Sequence, residues 1–278
     1  MQVQHHLPRA QRAGVSKQTI EAQLREAVSV IPGARTKVGF GGSSEKYVLV
    51  LAGDFDPKQA KADLTKYFGP IPKGAAVPRN TVVEPPMKEE VRDVVYDKIQ
   101  LPAVVMGYRI PAYGTKDFYA VDMVNRLLSS GNSSRLNMSV KDAQQKALFV
   151  GSFSLPFEDP GLAIAFGIAN MGVAPDSLEA SMDKEIARTR DELITPAELS
   201  KLKAQIETEY VNSNSRVEGI AESLASAHTF LGGTAKLNTE LNEYLAVTAA
   251  DMQRVAKQYF VKENRVVLYY LPQSQQKN

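Results

Sequence analysis

Few side chains in this sequence could do chemistry. There are three histidines, His5, His6 and His228, and no cysteine. A hydrolytic zinc ion needs three protein ligands held rigidly, with one position open for water. His5 and His6 are neighbours in a polar lead, so they cannot share a helix face as residues four apart do. His228 stands in Ser-Ala-His-Thr-Phe with no second ligand one turn away, and reads as a packed or capping residue. The sequence therefore offers no metal site. The lack of cysteine also excludes disulfides, thiolate nucleophiles and Cys-ligated zinc. No Ser-His-Asp arrangement can be built on one internal histidine. Glu89, Glu90 and Asp93 read as a charged strand entry, because nothing brings a partner carboxylate to a defined spacing. The Gly-Gly pairs at 41–42 and 232–233 lack the Gly-Lys-Ser/Thr of a phosphate loop.

The elements that would carry these residues follow from hydrophobic period and capping signals. Ser16 caps a helix over Lys17–Val30. Tyr47–Ala52 is an apolar run that reads as a buried strand. Asp56-Pro57 opens a helix to about Phe68. Gly69–Pro86 is rich in Pro and Gly and reads as a linker. Strands are expected at Glu90–Ile99 and Ala103–Ile110, the second central because Val104, Val105 and Met106 run on without a polar break. A helix follows over Lys116–Leu128, and another from Ser133 or Ser134 to about Lys146. Leu148–Leu155 and Leu162–Ala169 read as strands. Helices then fit Asp176–Leu193, a stretch opened by the capping box Thr195-Pro196-Ala197-Glu198, Val217–Leu231, Leu237–Leu245 and Ala249–Tyr259. Arg265–Leu271 closes as a strand. This order implies an α+β fold, a largely antiparallel sheet with helices packed on one face, preceded by a small helix-strand-helix remnant.

The chain has 278 residues and a net charge of +2, with acidic and basic residues interspersed. That balance gives no pull toward nucleic acid or a membrane surface. No apolar stretch reaches the roughly 20 residues of a membrane helix, and MQVQHHLPRAQRAG lacks the apolar core of a signal peptide.

Four phrases stand in one order: Val-Leu-Ala-Gly-Asp-Phe-Asp-Pro (Val50–Pro57), Lys-Tyr-Phe-Gly-Pro-Ile-Pro (Lys66–Pro72), Gly-Asn-Ser-Ser-Arg-Leu (Gly131–Leu136) and Val-Val-Leu-Tyr-Tyr-Leu-Pro (Val266–Pro272). Together they resemble the later part of a pitrilysin-type (M16, insulinase-like) metallopeptidase subunit. The resemblance implies residues 1–72 as the remnant of a preceding lobe, 73–86 as a linker and 87–278 as the C-terminal-like domain. It implies zinc in the complete enzyme, bound through His-x-x-Glu-His in an earlier domain, and none bound by this chain. It implies a peptide substrate, a zinc-bearing or companion half as partner, and a periplasmic location in a Gram-negative bacterium. The family's substrate-binding Arg/Tyr pair, seven residues apart, falls on Lys141 and Leu148. Leucine cannot donate a hydrogen bond to a substrate carbonyl, and lysine lacks the planar fork of arginine. Leu148 reads equally as a core residue. Arg135 reads as a structural arginine bonded to carbonyls or a carboxylate, with substrate contact as its other reading. The function implied is the scaffold half of a peptide-cleaving chamber, inactive alone; the alternative is a non-enzymatic assembly subunit of the same fold. Residues 17–53 also resemble a periplasmic segment of resistance-nodulation-division efflux pumps, which leaves a chimeric chain as a further reading.

Overall fold

A computed structural model describes residues 49–71 and 85–276, together with the backbone of Ala34–Arg35. The expected helix over Lys17–Val30, His5, His6 and most of the 73–86 linker lie outside the described residues. The chain divides into two compact units, Met1–Val83 with Tyr210–Leu237, and Glu84–Glu209 with Asn238–Asn278. The expected stretch 87–278 thus contributes to both.

In the first unit, β1 (Ala34–Arg35) pairs antiparallel with β2 (Ala52–Gly53). The expected strand Tyr47–Ala52 is therefore reduced, among the described residues, to its last residue and the following glycine. Helix α1 (Pro57–Phe68) starts as its sequence dictates: Asp56 accepts hydrogen bonds from the amides of Lys58 and Gln59 at 2.7 and 3.0 Å, with Pro57 at the first position. A later helix of this unit, α5 (Val217–Phe230), packs on β2.

The second unit is built on a five-stranded sheet of β3 (Val91–Asp97), β4 (Ala103–Ile110), β5 (Ala147–Leu155), β6 (Gly161–Ala169) and β7 (Arg265–Pro272). The strand order is β3-β7-β4-β6-β5. All neighbours are antiparallel except β3 and β7. β4 is central, as its unbroken apolar run requires. The fold is the expected α+β class.

The two faces of the sheet differ. On one, Val104, Met106, Tyr108 and Ile110 of β4 are buried beside Ala163, Ala165, Gly167 and Ala169 of β6. The small side chains of β6 let a helix come close: a Cβ on Gly167 would lie 3.0 Å from Met182 Sδ and 3.2 Å from Leu178 Cδ2. Both neighbours belong to α3 (Pro175–Asp191). Helix α2 (Lys116–Ser129) is buried on nearly every side and packs between the sheet and α7 (Ala249–Tyr259). Helices α4 (Pro196–Ser213), which runs across the division between the units, and α6 (Leu237–Ala246) complete the set. The opposite face of the sheet carries Val105, Leu162, Ile164, Phe166, Phe149 and Phe153, which are half-buried or exposed.

Charged groups fasten α3 to the sheet. Arg265, only 2% exposed, donates from Nε to Glu90 at 2.5 Å and from Nη2 to Glu179 at 3.0 Å, and grips Asp183 with both terminal nitrogens. Arg92 holds the same Glu179 bidentately at 2.9 and 2.5 Å. Burial would raise the Glu179 carboxyl, but Arg92 and the Tyr269 hydroxyl outweigh it and hold the acid below its ordinary range. Glu90 is therefore one of the acids of this structural cluster.

Candidate functional site

Between Ser134 and Phe149 the backbone departs from regular helix and strand. The expected α-helix to Lys146 is instead a single α-turn at Arg135–Leu136 followed by a π-helix over Asn137–Ala143. Its wide closure is visible in the hydrogen bonds from Gln144 N to Ser139 O at 2.9 Å and from Lys146 N to Val140 O at 3.0 Å. Leu136 and Val140 are fully buried and anchor it. Gln145 then adopts φ +53°, a left-handed conformation that costs a non-glycine residue about 1 kcal/mol. Its carbonyl is held by Asn170 Nδ2 at 3.1 Å. β5 opens with a bulge in which Leu148 is the extra residue between Ala147 and Phe149. A π-helix, a left-handed residue and a bulge thus follow one another, and such irregularities gather at functional positions.

Lys141 and Leu148 flank this kink. Lys141 is half-buried on the π-helix, which packs on β5. Leu148 is 58% exposed and is not part of the core. Of its two expected environments, the structure shows the open one, because the bulge turns both Leu148 and Phe149 outward. Phe149, Phe153 and Phe166 form an exposed aromatic group: ring centroids lie 5.5 Å apart for Phe149 and Phe166, and 5.9 Å for Phe153 and Phe166. Gly151 makes this possible, since a Cβ there would sit 2.7 Å from Phe166 Cε1. Alternation alone located these aromatics on the sheet but did not mark them as a group.

Arg135 is committed inside the protein. Its Nε and Nη2 donate to the two oxygens of Glu198 at 3.0 and 3.1 Å. Glu198 also closes the capping box of α4, accepting from Thr195 N at 2.9 Å and receiving the Thr195 hydroxyl at 3.1 Å. Burial would raise this carboxyl, but the Arg135 and Thr195 hydrogen bonds hold it at about 2. Arg135 Nη1 is buried with no hydrogen-bond partner among the described residues. His228 lies exposed on α5 rather than packed. Among the described residues, no group of three or more His, Asp or Glu side chains could hold a metal ion, so they do not fit a zinc centre. No described helix is long and apolar enough to cross a membrane.

Residues 43–206 match the peptidase M16 inactive domain. Over 234 residues the chain is 25% identical to the zinc protease PqqE of Helicobacter pylori, covering 81% of this chain and 51% of that protein. The chain therefore spans about half the length of that relative. The crystal structure of a protease from Helicobacter pylori shares the fold with a TM-score of 0.74 at 22% identity, over 80% of this chain and 54% of that one. The periplasmic protease PqqL from Escherichia coli does so with a TM-score of 0.62 at 14% identity, over 79% of this chain and 24% of that one. Residues 17–42 of the efflux-pump resemblance precede the family match and residues 43–53 fall inside it; up to residue 48 only the backbone of Ala34–Arg35 is among the described residues.

Proposed function

The chain belongs to the peptidase M16 family, as its inactive domain, and from that premise we propose that it is the scaffold half of a peptide-cleaving chamber. The zinc-bearing half, which supplies the hydrolytic metal, is its companion. This chain binds no zinc of its own. Residues 1–72 are the remnant of a preceding lobe, with a linker at 73–86. By likeness to the periplasmic relative, the location is the periplasm.

The observation that carries this reading is the face of the sheet that no helix of the second unit covers, among the described residues. The helices of the second unit cover one face only, and the other presents a continuous apolar wall ending in the Phe149, Phe153 and Phe166 group. A wall of this kind is out of place on a free surface, and it fits a protein that closes on a second half. At its edge, Lys141 and Leu148 hold the family's Arg/Tyr positions. Leu148 has the exposure that such a position needs but no hydrogen-bond donor, so polar contact to the substrate falls to other groups. Arg135 has a structural role, since its bidentate pairing with Glu198 leaves no exposed donor edge for a peptide.

The test is association with an M16 protein that carries His-x-x-Glu-His. Sedimentation of the mixture is expected to give a complex that Phe153→Asp weakens. A complex indifferent to Phe153→Asp, or none at all, would overturn the chamber reading. A complex that forms but leaves peptide hydrolysis by the companion unchanged would instead mark a non-enzymatic assembly subunit.

A further inference from the structure

On the helix side of the second unit, away from the apolar wall, lies a cleft of about 270 Å³. Its floor is aromatic: Tyr108 and Phe260, with ring centroids 5.2 Å apart. Around the floor stand Lys184, Arg190, Lys262 and Arg265, against one carboxylate, Asp183.

The charges in this cleft are unevenly used. Arg265 is consumed, with Glu90, Glu179 and Asp183 on its nitrogens. Asp183 is consumed by the same contacts, since both of its oxygens accept from Arg265. Arg190 spends only Nη1, on the Phe260 carbonyl at 2.6 Å. Its Nε and Nη2 edge has no partner among the described residues. Lys184 and Lys262 are exposed and likewise have no ion pair or hydrogen bond among the described residues. Three cations therefore converge on one cleft whose only acid is already neutralised.

We propose that this cleft binds a small oxyanion carrying two or more negative charges. Like charges around a low-dielectric wall raise the local potential and draw in a counter-charge. The free edge of Arg190 presents parallel N–H groups that suit a phosphoryl or carboxylate group, and the two lysines add mobile point charges. The volume lies below the roughly 300–1,000 Å³ of drug-sized pockets, which favours a ligand of few atoms. The site is independent of the chamber reading, because it uses neither the open sheet face nor the β5 edge.

The experiment is a thermal melt and a calorimetric titration of the full chain with inorganic phosphate and, separately, with succinate. Sodium chloride at matched ionic strength is the reference. A saturable, one-to-one response to either anion is expected, and the stronger of the two identifies phosphoryl or carboxylate as the source. Lys184→Gln/Lys262→Gln should weaken it by about tenfold or more, as two charge-assisted contacts go. The melting point of that variant in chloride should not fall, because neither lysine has a partner to lose among the described residues. Responses to both anions no larger than chloride's would overturn the proposal, and so would an undiminished response in the double variant.

Discussion

The pair Arg135–Glu198 yields an asymmetric prediction. The Arg135 side chain is 7% exposed, whereas that of Glu198 is 26% exposed. Glu198→Ala removes the only carboxylate, among the described residues, on a buried guanidinium that already has Nη1 unpaired. Leaving such a charge unpaired costs about 3–5 kcal/mol, and loss of the reach-back to Thr195 at the start of α4 adds a share of the ~1 kcal/mol of a helix cap. Arg135→Met is milder. Glu198 keeps its Thr195 contacts and some water, so the cost is the packing of one side chain and a charged hydrogen bond, about 1–3 kcal/mol. The double variant should lose about 2 kcal/mol less than the sum, since the stranded charge is gone. Urea unfolding at neutral pH, with equal slopes checked across the variants, measures all three. Arg135→Met proving as costly as Glu198→Ala, or full additivity, would refute this reasoning. The pH dependence has a definite sign. Glu198 titrates at about 2 in the folded chain, below its ordinary 4.5, so its contribution is present above pH 4.5 and is lost as pH falls through about 2. Arg135→Met should flatten that acid limb.

Three further outcomes can be checked by melts or urea unfolding. Leu148→Tyr should be nearly neutral, within about 0.5 kcal/mol, because the bulge exposes position 148; a loss of about 1–3 kcal/mol would mean that the position is packed. Gln145→Gly should stabilise by about 0.5–1 kcal/mol by relieving a left-handed conformation, and destabilisation would refute the strain. Gly167→Val should destabilise by about 1–3 kcal/mol or more by pushing Met182 and Leu178 of α3 off the sheet; an unchanged midpoint would show that α3 yields freely.

Much of the fold is legible because local signals agree with one another. Ala103–Ile110 has the expected bounds, set by Pro102 and Pro111 around an apolar run. Ala249–Tyr259 does too, since Thr248 and Asp251 form a full capping box. The π-helix was not legible. Buried Leu136 and Val140 fit an α-helix equally well, and nothing in Asn137–Ala143 distinguishes an i→i+5 closure. Nor was the left-handed turn, because it falls on Gln145 and not on a glycine. Arginine at a strand start is ordinarily exposed, yet Arg265 is buried because three acids converge on it. Those acids, Glu90, Glu179 and Asp183, lie 175, 86 and 82 residues away, beyond any local pattern. Position 148 was ambiguous for a similar reason: leucine in a strand reads as core, and only the bulge decides its direction.

Metal content read together with peptide hydrolysis tests the central claim most directly. The purified chain, dialysed after exposure to zinc, would be assayed by metal analysis and with a fluorogenic peptide, alone and mixed with a companion M16 protein that carries His-x-x-Glu-His. The account predicts substoichiometric zinc and no turnover for the chain alone, with turnover by the companion rising when the chain is added. Stoichiometric zinc with hydrolysis by the chain alone, abolished by His228→Ala, would contradict it.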